Sequence, residues 1–81
     1  MKIQVRYFHS VAKLMEVNSE FIELPDGSRV ADLAISLSSR ETRLVSIAPS
    51  LLFAVNSEHA LRDTMLRDGD EVALMPPFSG G

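Results

Sequence analysis

Eighty-one residues with no cysteine and a net charge of −3 narrow the field at once. A chain this short buries one modest core and leaves little room for an enclosed active site. Without thiols there is no disulfide framework, thiolate metal site or cysteine nucleophile, and basic residues scattered singly along an acidic chain do not make a nucleic-acid binder.

The chain opens on an alternating stretch. Ile3, Val5 and Tyr7 are separated by Gln4 and Arg6, the period of a half-buried strand. It lacks the basic start and long apolar run of a signal peptide, and no later stretch approaches the ~20 apolar residues of a membrane span. A cytoplasmic protein with no membrane partner is therefore the expectation. Ser10 is placed to cap a short helix from Val11 to about Glu16. A second strand comes next, with Ile22 and Leu24 on one face and Phe21 and Glu23 on the other, so the first two strands read as a hairpin with a long, partly helical loop. Pro25-Asp26-Gly27 then turns the chain.

Ser28 is the expected N-cap of the main helix, where Val30, Leu33, Ala34 and Leu37 form one apolar stripe at i, i+3, i+4 and i+7. Asp32 in the first turn suits the helix dipole, and Arg40 falls near the end. Leu44, Val45 and Ile47 indicate a short helical turn before Pro49. The unbroken apolar run Leu51 to Val55 reads as a central strand, Asn56-Ser57 as a turn, Glu58 to Leu61 as an edge strand and Arg67-Asp68-Gly69-Asp70 as another turn. Glu71 to Met75 forms the last strand, with Val72 and Leu74 inward. This order predicts an α+β fold, a four- or five-stranded mixed sheet with one helix across one face. The expected core is Ile3, Val5, Ile22, Leu24, Val30, Leu33, Leu37, Leu52, Val72 and Leu74. Residues 1–75 read as one domain and 76–81 as its tail.

The tail concentrates the unusual residues. Two of the four prolines and two of the four glycines stand in Pro76-Pro77-Phe78-Ser79-Gly80-Gly81. The prolines stop the last strand and stiffen the segment beyond it; six extended residues reach about 20 Å. Glycines without Cβ atoms can thread a narrow channel and leave the terminal carbonyl open to attack. A carboxylate becomes an acyl donor once ATP converts it to an acyl-adenylate, and a sulfur nucleophile could then displace AMP. A bare Gly-Gly end is also compatible with plain fraying; a rigid Pro-Pro after a strand favours an acyl-activated carrier tail.

Other chemistry finds little support. His9 and His59 have no metal-ligand spacing, and Asp68-Gly69-Asp70 lacks the repeated oxygen ligands of a calcium loop. Ser10, Ser28, Ser57 and Ser79 belong to no nucleophile motif. No bound metal or cofactor is expected. Phe8 and Met75 end their strands on the side opposite the inward set; with Phe78 they would form a partner-binding patch at the tail root.

Three segments carry a family resemblance: Leu51-Leu52-Phe53-Ala54-Val55-Asn56, Leu66-Arg67-Asp68-Gly69-Asp70-Glu71-Val72-Ala73 and the Pro76-Pro77-Phe78-Ser79-Gly80-Gly81 end. Together with the Ile3 to Phe8 strand they closely resemble the small, sulfur-carrying subunits of molybdopterin synthase, across nearly the whole chain. The resemblance implies a β-grasp, ubiquitin-like fold with an extended Gly-Gly tail. It implies that Gly81 is adenylated by a ubiquitin-activating-like enzyme using ATP, then becomes a thiocarboxylate. It implies docking into a large synthase subunit, in a heterotetramer of two small and two large chains, where sulfur passes to cyclic pyranopterin monophosphate in molybdenum cofactor biosynthesis. The small chain donates sulfur and the catalytic pocket belongs to its partner. By position Phe8, His59 and Met75 would face the large subunit, with His59 departing from the apolar residue usual there. Thiamin-thiazole carriers also end in Gly-Gly but are usually shorter and lack the Pro-Pro; a ubiquitin-like modifier joined to lysines through Gly81 is the alternative of a different kind.

Overall fold

The computed structural model describes residues 1–77. Strands β1 (Lys2–Tyr7), β2 (Ser19–Glu23), β3 (Leu52–Val55), β4 (Glu58–Ala60) and β5 (Glu71–Met75) join in one sheet of order β2-β1-β5-β3-β4. β1 and β5 run parallel at its centre, and the other pairs are antiparallel. The short helix α1 (Ser10–Met15) lies inside the β1–β2 hairpin, and the main helix α2 (Val30–Arg40) lies on the crossover between the two halves. Two single turns of 3-10 helix, Thr42–Leu44 and Ala48–Ser50, carry the chain from α2 to β3. This is the mixed sheet with one main helix expected of a β-grasp fold.

Alternation decides which face each strand buries. Ile3, Val5 and Tyr7 of β1, Ile22 of β2, Phe53 of β3, and Val72 and Leu74 of β5 point toward α2, whose Val30, Leu33, Ala34 and Leu37 stripe closes the core from the other side. Val11, Leu44, Leu51 and Leu66 complete it from the connecting segments. Nine of the ten expected core residues are buried. Leu52 is the exception, at 39% exposure. The run Leu51 to Val55 is apolar on both faces, so composition hides its phase; Leu51 and Phe53 take the inward positions and Leu52 turns out.

Both expected helix caps move by one residue. Ser10 is the first residue of α1, behind a His9 with φ 53° and no side-chain cap. At α2 the cap position belongs to Arg29, whose N–H donates to Asp32 Oδ2 at 2.8 Å, while the buried Ser28 donates its hydroxyl to Pro25 O at 2.7 Å. The acid three residues into the helix therefore satisfies the entry N–H, and the serine closes the preceding turn. No helix among the described residues is long and apolar enough to cross a membrane.

Candidate functional site

The face of the sheet turned away from α2 is where the candidate residues gather. Cross-strand partners share a face, so the register maps it directly. One row across the sheet runs Arg6, Ala73, Ala54, His59, and the next pairs Met75 with Leu52. Phe8, two residues beyond Arg6, comes after the end of β1 on this same side, and its N–H donates to Leu74 O at 3.1 Å. The floor is therefore low and apolar, two alanines beside Met75 and Leu52, with Arg6 and His59 at its opposite ends. Phe8 and Met75 are half-buried and His59 is exposed.

Arg6 is not a free cation on this face. Its NH1 donates to Glu71 Oε2 at 3.2 Å, and its guanidinium carbon lies 5.5 Å from the centre of the Phe8 ring. At that distance the cation meets the negative ring face, so the Phe8 ring is held back along β1. Phe8, His9 and Arg6 also border a small hollow closed by Ala12 and Asn18.

Pro76 and Pro77 come directly after β5, half-buried and exposed respectively. Because β5 is hydrogen-bonded to β1 on one side and β3 on the other, the tail root leaves from the middle strand of the sheet. It leaves at the same end as Phe8 and Leu52. Phe78, Ser79, Gly80 and Gly81 lie outside the described residues. Among the described residues no group of three or more His, Asp and Glu side chains could hold a metal ion.

Leu52 is the residue that sequence reasoning misplaced: it belongs beside Met75 on this face, and a run apolar on both faces carries no signal of its phase. A larger hollow lies elsewhere, on the helix side. It is an open groove of about 590 Å³ between α2 and the 42–50 segment, lined mainly by Ala31, Ala34, Ile35, Val45 and Pro49.

With this geometry in place, comparison with known proteins is decisive for the family. The ThiS family model matches residues 5–81. The chain belongs to the ThiS family. A molybdopterin synthase sulfur carrier subunit of Chlamydomonas reinhardtii is 37% identical over 83 aligned residues, covering all of both chains. The Homo sapiens protein of the same description is 34% identical, covering 99% of this chain and 94% of its own. Among solved structures, a Pyrococcus furiosus protein provisionally described as molybdopterin converting factor subunit 1 superposes with TM-score 0.87 at 32% identity, covering 96% of this chain and 99% of that one. The Haloferax volcanii modifier SAMP1 superposes at 0.86 with 21% identity over the whole of both chains, a likeness that shows the fold alone. A complex of subunits 1 and 2 of the molybdopterin-converting factor from Helicobacter pylori contains a chain of this fold too, at TM-score 0.70 and 24% identity, with full coverage of both chains. The fold is thus ubiquitin-like, and the ThiS-family relatives that share a third of the sequence are sulfur-carrier subunits of molybdopterin synthase.

Proposed function

We propose that this chain is the sulfur-carrier subunit of a molybdopterin synthase, with residues 1–75 as the docking domain and 76–81 as its working tail. One observation carries the reading: similarity to named molybdopterin sulfur carriers extends over the full chain, and the family match runs to residue 81, so the matched stretch includes the Gly80-Gly81 end. The Gly81 carboxylate attacks the α-phosphate of ATP on an activating enzyme, releasing pyrophosphate. A sulfur nucleophile then displaces AMP and leaves a thiocarboxylate. The loaded tail enters the large subunit, where its sulfur displaces an oxygen substituent of cyclic pyranopterin monophosphate; water then cleaves the acyl–sulfur bond, leaving sulfur on the pterin and returning Gly81 as a carboxylate.

This chain's part is donation, presentation and docking. The open sheet face supports the docking: Phe8, Met75 and Leu52 gather apolar surface at the tail root, and His59 borders it. An aromatic anchor at the centre of such a patch commonly dominates an interface. The domain itself binds no cofactor in this reading, and ATP belongs to the activating enzyme. The cytoplasm is the setting that supplies both.

Mass spectrometry of the chain isolated with its activating enzyme, ATP and a sulfur source tests the proposal. Replacement of the terminal carboxylate oxygen by sulfur, confined to Gly81 and discharged on adding the large subunit with its pterin substrate, is the expected outcome. Stable isopeptide adducts to lysines of many proteins, with no thiocarboxylate, would establish the modifier reading instead. Discharge into a thiazole synthase but not into the large subunit would assign the chain to thiamin.

A further inference from the structure

Arg6 is spanned between two groups on the open face. Glu71, at the start of the neighbouring parallel strand, takes its NH1 at 3.2 Å, and the ring of Phe8, just past the end of its own strand, lies under its guanidinium at 5.5 Å. Register places Arg6 beside Ala73, so no bulky neighbour on β5 interrupts the span from Arg6 back to Glu71. Each contact is weak alone: the ion pair is half exposed on both sides, with Arg6 at 50% and Glu71 at 39%. Their joint effect is geometric. Glu71 takes the guanidinium and the guanidinium lies over the ring, so the three groups form one connected chain that ends beside the tail root. The Phe8 backbone is held by its N–H to Leu74 O at 3.1 Å, but the residue comes just after the end of β1 and is followed by His9 at φ 53°, so strand pairing fixes the backbone and not the ring.

From this geometry we infer that Arg6 is a positioning residue for docking, acting through Phe8. It pre-orders the aromatic anchor on the free chain, so the partner receives one ring placement and the ordering cost is not charged against binding. The Arg6–Glu71 pair is also internally neutral, which lets an apolar partner surface cover the ring without meeting an uncompensated charge beside it. The inference rests on the docking reading of the sheet face and adds to it the residue that shapes the anchor.

A double-mutant cycle against the molybdopterin synthase large subunit, read by calorimetry, separates this role from direct contact. Arg6→Gln is expected to raise Kd about two- to fivefold, the span of an exposed cation–π contact, while Arg6→Lys, which keeps a cation over the ring, recovers most of the loss. In a Phe8→Ala background the same Arg6→Gln change is expected to do nothing further. Equal losses in both backgrounds would mean that Arg6 touches the partner itself, and no loss in either would mean that Phe8 is held by other means; each result overturns the inference. A second readout needs no partner. With 4-fluorophenylalanine in place of phenylalanine and the Phe8 resonance identified by Phe8→Leu, Arg6→Gln should shift and sharpen that resonance while Phe53, in the core, stays put. An unmoved Phe8 resonance overturns the positioning role. Failure of the wild-type chain to bind the large subunit, alongside a moved resonance, would instead strike the docking reading and leave the ring contact standing.

Discussion

Tyr7 is the inward residue with a polar end, and three elements meet on it. Its hydroxyl donates to Glu20 Oε2 at 2.6 Å on β2, and Arg40 at the end of α2 reaches the same carboxylate through NH1 at 2.9 Å and NH2 at 2.5 Å. The Arg40 hydrogen bonds hold the Glu20 carboxyl below its usual range, and burial, reinforced by the bond to Glu20, pushes the Tyr7 phenol well above its own. The signs give two pH windows. Glu20, depressed in the folded state, contributes stability above its unfolded value near 4.5 that is lost as pH falls through the folded value. Tyr7, raised in the folded state, contributes stability below its unfolded value near 10 that is lost as pH rises through the folded one. Tyr7→Phe should therefore cost about 1.5–3 kcal/mol near neutrality, the range of a hydrogen bond to a charged group. The deficit relative to wild type should shrink as pH climbs past 10. Urea unfolding between pH 6 and 11 checks it; a deficit constant across that range would mean that the phenol contributes packing alone. None of this was visible in sequence, because Tyr7 looks like one more apolar member of its strand and Glu20 and Arg40 are twenty residues apart.

At the scale of elements, the two internal motif segments turn out to be one piece of structure. Asn56 sits at φ 49°, a left-handed conformation that asparagine tolerates better than most residues. Its carboxamide donates to Asp70 Oδ1 at 2.9 Å and accepts from the Glu71 N–H at 3.0 Å, joining the end of β3 to the start of β5. Asp68 accepts from the Lys2 N–H at 2.7 Å and the Gly69 N–H donates to Lys2 O at 2.8 Å, so the same turn holds the start of β1. Gly69 needs its φ of +88°, where a Cβ would be strained. The Asn and the Asp-Gly-Asp of the two segments therefore fasten the end of the sheet opposite the tail, a structural task that explains why their spacing matches no catalytic or metal motif. Asn56→Ala should cost about 1–2 kcal/mol through the lost bonds and the unfavourable φ together. Asn56→Gly should recover the backbone share while leaving the bond share, and thermal unfolding of the three proteins resolves the two. A glycine variant no more stable than the alanine one would remove the backbone share from this account. The order of elements along the chain, the α2 stripe and the hairpin were legible because period and turn residues carry them. The helix caps and the phase of β3 were not: Ser28 is a sound capping residue whose hydroxyl another turn had already claimed, and a run apolar on both faces leaves its register to tertiary packing.

Seen as a whole molecule, the chain divides its work between two ends of one sheet. The far end is tied by backbone and side-chain bonds around Asn56 and Asp68, while the near end gathers Phe8, Leu52 and Met75 around the strand from which Pro76 and Pro77 depart. In the proposed carrier role such a body is held while its last residue is handed to other proteins, and that role requires a fixed length from tail root to acyl carbon. Removing Gly81 would withdraw that carbon by about 3.3 Å, the rise of one extended residue, where a displacement of ~1 Å can cost about a hundredfold in rate. Appending a residue would instead put a peptide bond where the carboxylate must be. Neither change touches the core or the sheet face, so both variants should unfold with the wild-type midpoint and bind the large subunit with affinity set by Phe8 and Met75. ATP–pyrophosphate exchange with the activating enzyme and molybdopterin formation by the reconstituted synthase should both fall by at least about a hundredfold. Full sulfur transfer from the shortened chain would remove Gly81 from the chemistry and the carrier function with it. Loss of binding together with transfer would show that the tail anchors the complex as well as reacting in it.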